Sequence, residues 1–331
     1  MKKILNDKNE IMKDMLYGYS VAHKDIIKVI DNKYVVRAKK KEIGKVGVVV
    51  ASGSGHEPCM IELVGEGLLD VNVAGNIFAA PSGDEVLEGI KLADNGAGVI
   101  LLVSSHAGDI MNAKFGIRLA KAQGINAEMV ILWDDVFSAP KGMEEERRGT
   151  CGLFFSWKIV SAAAEMGKKL SELVQLAKRT RDATRSLTVA IESGTHPETG
   201  NKMFELPEDK IEVGMGVHGE AGTGRMDICT SSELVNFMLS KIIEDRPFEE
   251  GDEVCVLVNN CGSMTFAELY IIYGDIFKQL EAKGIKVVGK WIGAYATTQE
   301  MAGFGISLIK VDEELLKMYD YKVNTILKYY E

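Results

Sequence analysis

The feature that most limits the fold is a pattern that recurs four times between Lys45 and Asp135: a short apolar run followed by a polar loop, in most cases with glycine. KVGVVVA leads into SGSGHEP, VNVAGNI into FAAPSGDEV, GVILLV into SSHAGDIMN, and EMVILW ends on Asp134 and Asp135. Runs this short, without polar alternation, read as strands covered on both faces, and helical stretches between them predict a largely parallel sheet. Helices are expected to begin near Gly83 or Asp84 and near Gly108 or Asp109, with acidic residues in their first turns. Ile61 to Leu69 reads as a short helical or mixed stretch.

Two further helical stretches, Phe154 to Lys168 and Ser171 to Asp182, close this region. From the strand SLTVAIESG the rhythm changes to longer loops, with helices at Ser231 to Ile242, Phe266 to Gly284 and Asp312 to Tyr319, and strands VCVLVNNCG, VVGKWIGAY and GISLIKV. The expected fold class is therefore α/β in two domains. Residues 1–184 form a largely parallel or mixed sheet flanked by helices, and residues 185–331 a separate α/β (α+β) unit.

Composition sharpens this reading. Glycine numbers 34 and proline 6, which suggests tight turns and close backbone approaches rather than flexible linkers. The net charge of −9 disfavours direct binding to DNA or to an anionic membrane surface. No signal-like stretch opens the sequence and no run reaches about eighteen apolar residues, so a cytoplasmic location is expected. The five cysteines (Cys59, Cys151, Cys229, Cys255, Cys261) show no CxxC spacing, and HExxH is absent; neither a disulfide framework nor a metal site is expected. Trp133, Trp157 and Trp291 are assigned to packing, and His23 and His196 to the surface.

Chemistry concentrates where strands end. His56 follows the first strand in a loop with Gly53, Ser54 and Gly55, on the sheet edge where open α/β folds place ligands. The loop lacks a Walker ending and the full GxGxxG pattern, so nucleotide binding there is disfavoured. Asp109 lies at the third strand exit and can pair with His56 if the two strands are neighbours; a carboxylate on one ring nitrogen raises the basicity of the other. The plain alternatives are a turn histidine and a helix-capping aspartate. His106 is a ligand-loop donor or an ordinary loop histidine. His218, in GMGVHGEAGTG, sits among too many glycines for a core, and its imidazole could add to the carbonyl carbon of a small ketone.

SGSGHEP, GNIFAAPSGDEV, AGDIMN, RRGTCG, VGMGVHGEAG, VLVNNCGSMTFAELY and IGAYATTQEMAGFGISLIKVD, in this order, resemble the dihydroxyacetone-binding (DhaK) subunit family of phosphotransferase-dependent dihydroxyacetone kinases over almost the whole chain. The resemblance implies that dihydroxyacetone is held as a hemiaminal on His218, with His56 and Asp109 as acid and base and Gly53, Ser54 and Gly55 lining the pocket. It also implies a homodimer without a resident cofactor, served by an ADP-containing partner subunit. Several positions depart from the usual family pattern. Ala79 and Ala80 replace a threonine and serine, Ser104, Ser105 and His106 replace KNY, and GSMTFAE replaces GATPLxE. Ala80, Ser104 and His106 are thus expected to modulate the pocket. These losses resemble the noncatalytic DhaQ branch, a coactivator of the TetR-type regulator DhaS. A ligand-sensing coactivator is the leading expectation, and an active kinase subunit the alternative.

Overall fold

The computed structural model describes residues 2–220, 222–246 and 248–327. The chain forms two compact units. The first comprises Lys3–Leu132, Ser156–Thr180 and Lys317–Glu331, and the second Met1–Lys2, Trp133–Phe155 and Arg181–Leu316. A single cut near residue 184 separates most of this, but residues 133–155 belong with the later unit and 317–331 with the earlier one. Uninterrupted helices span three of the crossing points, after Phe155, Thr180 and Leu316, which is why the sequence rhythm shows no break there.

The first unit begins with α1 (Ile11–Ala22), β1 (Ile27–Ile30), β2 (Tyr34–Arg37), β3 (Gly47–Ser54), β4 (Gly65–Glu66) and β5 (Val71–Ile77). It continues with α2 (Gly83–Ala93), β6 (Val99–Ser104), α3 (Ala107–Ala122) and β7 (Ala127–Leu132). The sheet order is β1-β2-β5-β3-β6-β7, parallel from β5 to β7 with β1 and β2 antiparallel at one edge. The mixed sheet expected for this region is present. β3 and β6 are buried almost throughout, as central parallel strands require. Val49, Val73, Ile90, Leu101 and Ile117 belong to one core between sheet and helices. A capping box fixes the start of α2: the Glu85 amide donates to Ser82 Oγ at 3.3 Å and the Ser82 amide to Glu85 Oε2 at 2.7 Å. α2 lies close on β5 because Gly89 has no Cβ; one placed there would stand 2.2 Å from Val73 Cγ2. Ile61 to Leu69 is a series of turns with β4 inside it, not a helix.

A buried ionic knot pins the other end of this sheet. Asp70 accepts from Arg37 Nη1 at 2.9 Å, Lys41 Nζ at 2.5 Å and the Val48 amide at 2.8 Å. Arg37 also reaches Glu165 at 3.0 Å, on α4 (Leu153–Glu165), which is followed by α5 (Leu170–Ala183).

The second unit holds β8 (Thr184–Glu192), β9 (Lys210–Val213), β10 (Gly224–Asp227), α6 (Ser231–Asp245), β11 (Glu253–Asn260), α7 (Phe266–Glu281), β12 (Lys286–Gly293) and β13 (Ala302–Lys310). Its sheet runs β10-β9-β8-β13-β11-β12, antiparallel except for the β11/β12 pair, so the separate α/β unit expected here is mixed. Thr230 with Glu233 and Thr265 with Glu268 form the capping boxes of α6 and α7. Val235, Leu239, Val256, Ile276, Ile306 and Leu308 belong to the core. Trp133 is buried with the guanidinium groups of Arg147, Arg181 and Arg185 over its ring at 6.0, 5.0 and 5.1 Å. Asp245 accepts from both Arg147 and Arg185.

The chain ends with α8 (Glu313–Tyr319) and β14 (Asn324–Thr325). β14 pairs antiparallel with β4, within the first unit. Lys158, buried on α4, donates to the carbonyls of Met318 at 3.0 Å and Tyr321 at 2.6 Å. Trp157 and Trp291 are buried, in keeping with a packing role. His23 and His196 are half-buried rather than fully exposed. Four of the five cysteines are buried, and none is disulfide-bonded.

Candidate functional site

In the first unit, chain order carries β5 to one side of β3 and β6 to the other. The sheet therefore reverses its winding between β3 and β6, and the carboxyl ends of those strands flank the crevice where open α/β sheets bind ligands. The two strands are parallel neighbours, the condition on which pairing of His56 with Asp109 depended. β3 ends at Ser54, directly before Gly55 and His56, and its register against β5 shifts between Ser52 and Ser54. That irregularity resets the pairing of the strand end, which continues with Ser54 opposite Ile77.

The loop is held by close backbone approach. A Cβ on Gly53 would stand 2.7 Å from the Ala79 amide nitrogen, and Gly55 has φ +103° with the Phe78 ring against it. The Phe78 amide donates to Ser54 O at 2.8 Å, and its ring lies 5.1 Å from the buried His56 ring, tilted by 44°. Glu57 turns back to accept from the Gly55 amide at 2.9 Å. Burial pushes its carboxyl above the usual range, and that hydrogen bond opposes the rise.

Asp109 is buried in the first turn of α3. The helix starts at Ala107, earlier than expected, and its N-cap is His106, so Asp109 does not cap it. Its Oδ2 accepts from Ser52 Oγ at 2.9 Å, which ties α3 to β3. Ser104 Oγ and His106 Nδ1 are 2.9 Å apart, and His106 Nδ1 stands 3.9 Å from Asp109 Oδ2. Ala80 is near the start of α3, with its Cβ 3.4 Å from where Gly108 would carry one. Ser54 to His56, Ser104, His106 and Asp109 thus lie at the carboxyl ends of β3 and β6 and in the first turn of α3, and Ser52 joins Asp109 without having been anticipated.

His218 belongs to the second unit, in the hairpin between β9 and β10. Its Nδ1 lies 2.8 Å from Glu220 Oε1, and its amide donates to Glu220 Oε2 at 2.9 Å. A carboxylate on Nδ1 holds the proton there and leaves the Nε2 lone pair as the nucleophile. Burial alone would raise the Glu220 carboxyl, but the hydrogen bonds from the ring and the His218 amide, with the attraction of the ring whenever it is cationic, outweigh it and bring Glu220 down to about 2. The loop closes through Gly216 N to Glu220 O at 3.0 Å and Gly219 N to Gly216 O at 3.1 Å. Thr298 Oγ1 anchors the Val217 carbonyl at 2.8 Å. Glu220 was missed as a functional residue; the signal was an acid two positions beyond the histidine in a glycine-rich loop.

No helix among the described residues is long and apolar enough to cross a membrane.

The Dak1 domain family model matches residues 17–327. The dihydroxyacetone-binding subunit DhaK of PTS-dependent dihydroxyacetone kinase 1 from Listeria innocua is 37% identical over 327 residues, covering 98% of this chain and 99% of that protein. The solved structure of the dihydroxyacetone kinase operon co-activator Dha-DhaQ superposes with a TM-score of 0.90 at 25% identity, over 96% of this chain and 98% of that one. The dihydroxyacetone kinase of C. freundii gives a TM-score of 0.89 at 29% identity, over 98% of this chain and 60% of that one. With the family model spanning nearly the whole sequence and a relative this similar from end to end, the chain belongs to the Dak1 domain family.

Proposed function

We propose that this chain is the dihydroxyacetone-binding subunit of a dihydroxyacetone kinase, capturing the ketone on His218 and presenting it to an ADP-containing partner subunit. The observation that carries the reading is the His218–Glu220 pair, a nucleophilic imidazole with its second nitrogen held by an ionised carboxylate. Attack of Nε2 on the carbonyl carbon forms a C–N bond and sends the carbonyl π electrons to oxygen, leaving a cationic ring and an alkoxide. Glu220 stabilises the ring charge as it develops, and the alkoxide is protonated to give the hemiaminal. His56 and Asp109 take the roles of acid and base in this reading, with Gly53, Ser54 and Gly55 as ligand-loop residues and Ser52 orienting Asp109.

The end-to-end relative at 37% identity is a kinase subunit, which supports placing turnover ahead of the coactivator reading that leads on sequence grounds. The coactivator reading keeps specific support. Ala79 and Ala80 remove two hydroxyls and Ser104 to His106 replace KNY, so donors for a transferring phosphoryl group are fewer, and the Dha-DhaQ fold matches closely. In that case the partner is a TetR-type regulator such as DhaS. A homodimer is proposed under either reading.

Intact-mass spectrometry of the chain with dihydroxyacetone, beside His218→Ala, tests the shared step. Absence of an adduct in the parent overturns both readings. Coupled turnover with an ADP-loaded partner subunit and a phosphoryl source then separates them. Turnover establishes the kinase subunit; adduct without turnover, together with ketone-dependent retention of the regulator, establishes the coactivator.

A further inference from the structure

The RRGTCG turn has so far had no role. Arg148, its second arginine, lies in the same unit as His218, with a side chain 19% exposed. Its backbone is fixed at both ends: the carbonyl accepts from the Asp134 and Asp135 amides at 3.1 and 3.3 Å, and the amide donates to Ser138 Oγ at 3.0 Å. From this base Nη2 donates to the buried Asp135 Oδ2 at 2.9 Å and to the Gly214 carbonyl at 2.7 Å. Gly214, at φ +75°, is where the chain leaves β9 for the His218 loop, and it sits against the Phe137 side chain. The guanidinium then continues along the loop. A Cβ on Gly216 would stand 2.6 Å from Arg148 Nη1 and 2.1 Å from Glu220 Oε2, so cation and carboxylate both close on the face of this glycine where a side chain would stand.

We propose that Arg148, held by Asp135, is a positioning residue that sets the departure of the 214–220 loop and through it the orientation of the His218 ring on Glu220. The inference rests on the reading of His218 as the capturing residue. Bonds to a buried carboxylate and to a loop carbonyl from a single nitrogen fix distance and direction together, which a flexible ammonium does less well.

The test uses the full chain as parent, Arg148→Met and Arg148→Lys. The first readout is the Nδ1-bound proton and ring nitrogen shifts of His218 by NMR, without ketone. The second is the dihydroxyacetone concentration giving half-maximal adduct by intact mass. Arg148→Met is expected to shift or lose the Nδ1 proton signal and weaken capture about tenfold, and Arg148→Lys to recover part of both. A folded Arg148→Met with an unchanged ring signal and capture within twofold of the parent overturns the proposal. If Arg148→Met does not fold, Arg148→Gln, which also lacks the charge, decides by the same criteria. Because the ring signal is read without ligand, it tests Arg148 even if the parent captures no ketone, a result that would count against the capture reading alone.

Discussion

Replacing Glu220 by glutamine alters the chemistry of His218 while nearly preserving shape. In the parent both carboxylate oxygens are used, one by the ring at 2.8 Å and one by the backbone amide at 2.9 Å. Glutamine offers a single acceptor oxygen and no charge. A hydrogen bond to an ionised group contributes about 1.5–3 kcal/mol and a neutral one about 1 kcal/mol. The difference is about 0.5–2 kcal/mol, and because the Glu220 side chain is 40% exposed, solvent screening favours the lower half, a loss of about 1 kcal/mol or roughly fivefold in the capture equilibrium. The loss falls on capture rather than on the resting protein because the ring becomes cationic as the C–N bond forms. Adduct titrations by intact mass at neutral pH, with His218→Ala as blank, measure it. Since Glu220 is held down at about 2, its contribution is present above the ordinary glutamate range and disappears only as pH falls through that value, so the parent should show no loss from this group between pH 5 and 8. An E220Q titration within twofold of the parent, with unchanged melting temperature, refutes the role of the carboxylate.

Three further outcomes are expected. Gly53→Ala places a Cβ 2.7 Å from a backbone nitrogen, so the loop must move and stability should fall by about 1–3 kcal/mol, read as a lower melting temperature; no change would show that the approach is not tight. Asp70→Ala leaves two buried cations, Arg37 and Lys41, to share the single carboxylate of Glu165, and the urea midpoint should drop by the equivalent of about 3 kcal/mol, the lower end for breaking a buried pair. A loss below about 1 kcal/mol would contradict the burial of that knot. Burial lowers the Lys158 ammonium to about 8, so the unfolded chain holds that proton more tightly and stability from this group rises between pH 8 and 10.5. Lys158→Met should remove that rise from the pH dependence of unfolding, and an unaltered slope would refute it.

The sheet of the first unit was legible because β3 and β6 are apolar runs closed by glycine and polar residues, and because parallel strands buried on both faces carry no competing alternation. His56, Asp109 and His218 were legible as polar side chains where packing has no use for them. What local pattern could not supply was partnership. Ser52 lies inside an apolar strand, and nothing nearby marks it as the donor to Asp109, 57 residues on. The allocation of residues 133–155 and 317–331 was hidden for a similar reason: membership of a unit is decided by contacts far along the chain. The start of α3, expected near Gly108 or Asp109, falls at Ala107, because Asp109 has the chemistry of a cap while its carboxylate is already committed to Ser52.

The pairing of β14 with β4 has a consequence for synthesis. The Asn324 side chain meets Glu66 across 258 positions of sequence, so a segment of the first unit is completed by one made much later. Until then, Gly65 and Glu66 lack their strand partner. The nascent protein can assemble its central sheet early but not complete this two-stranded pairing, and such distant closure favours slow folding and exposure to association on the way. A substitution at Asn324 or Thr325 would therefore act on the folding of a segment 258 positions earlier.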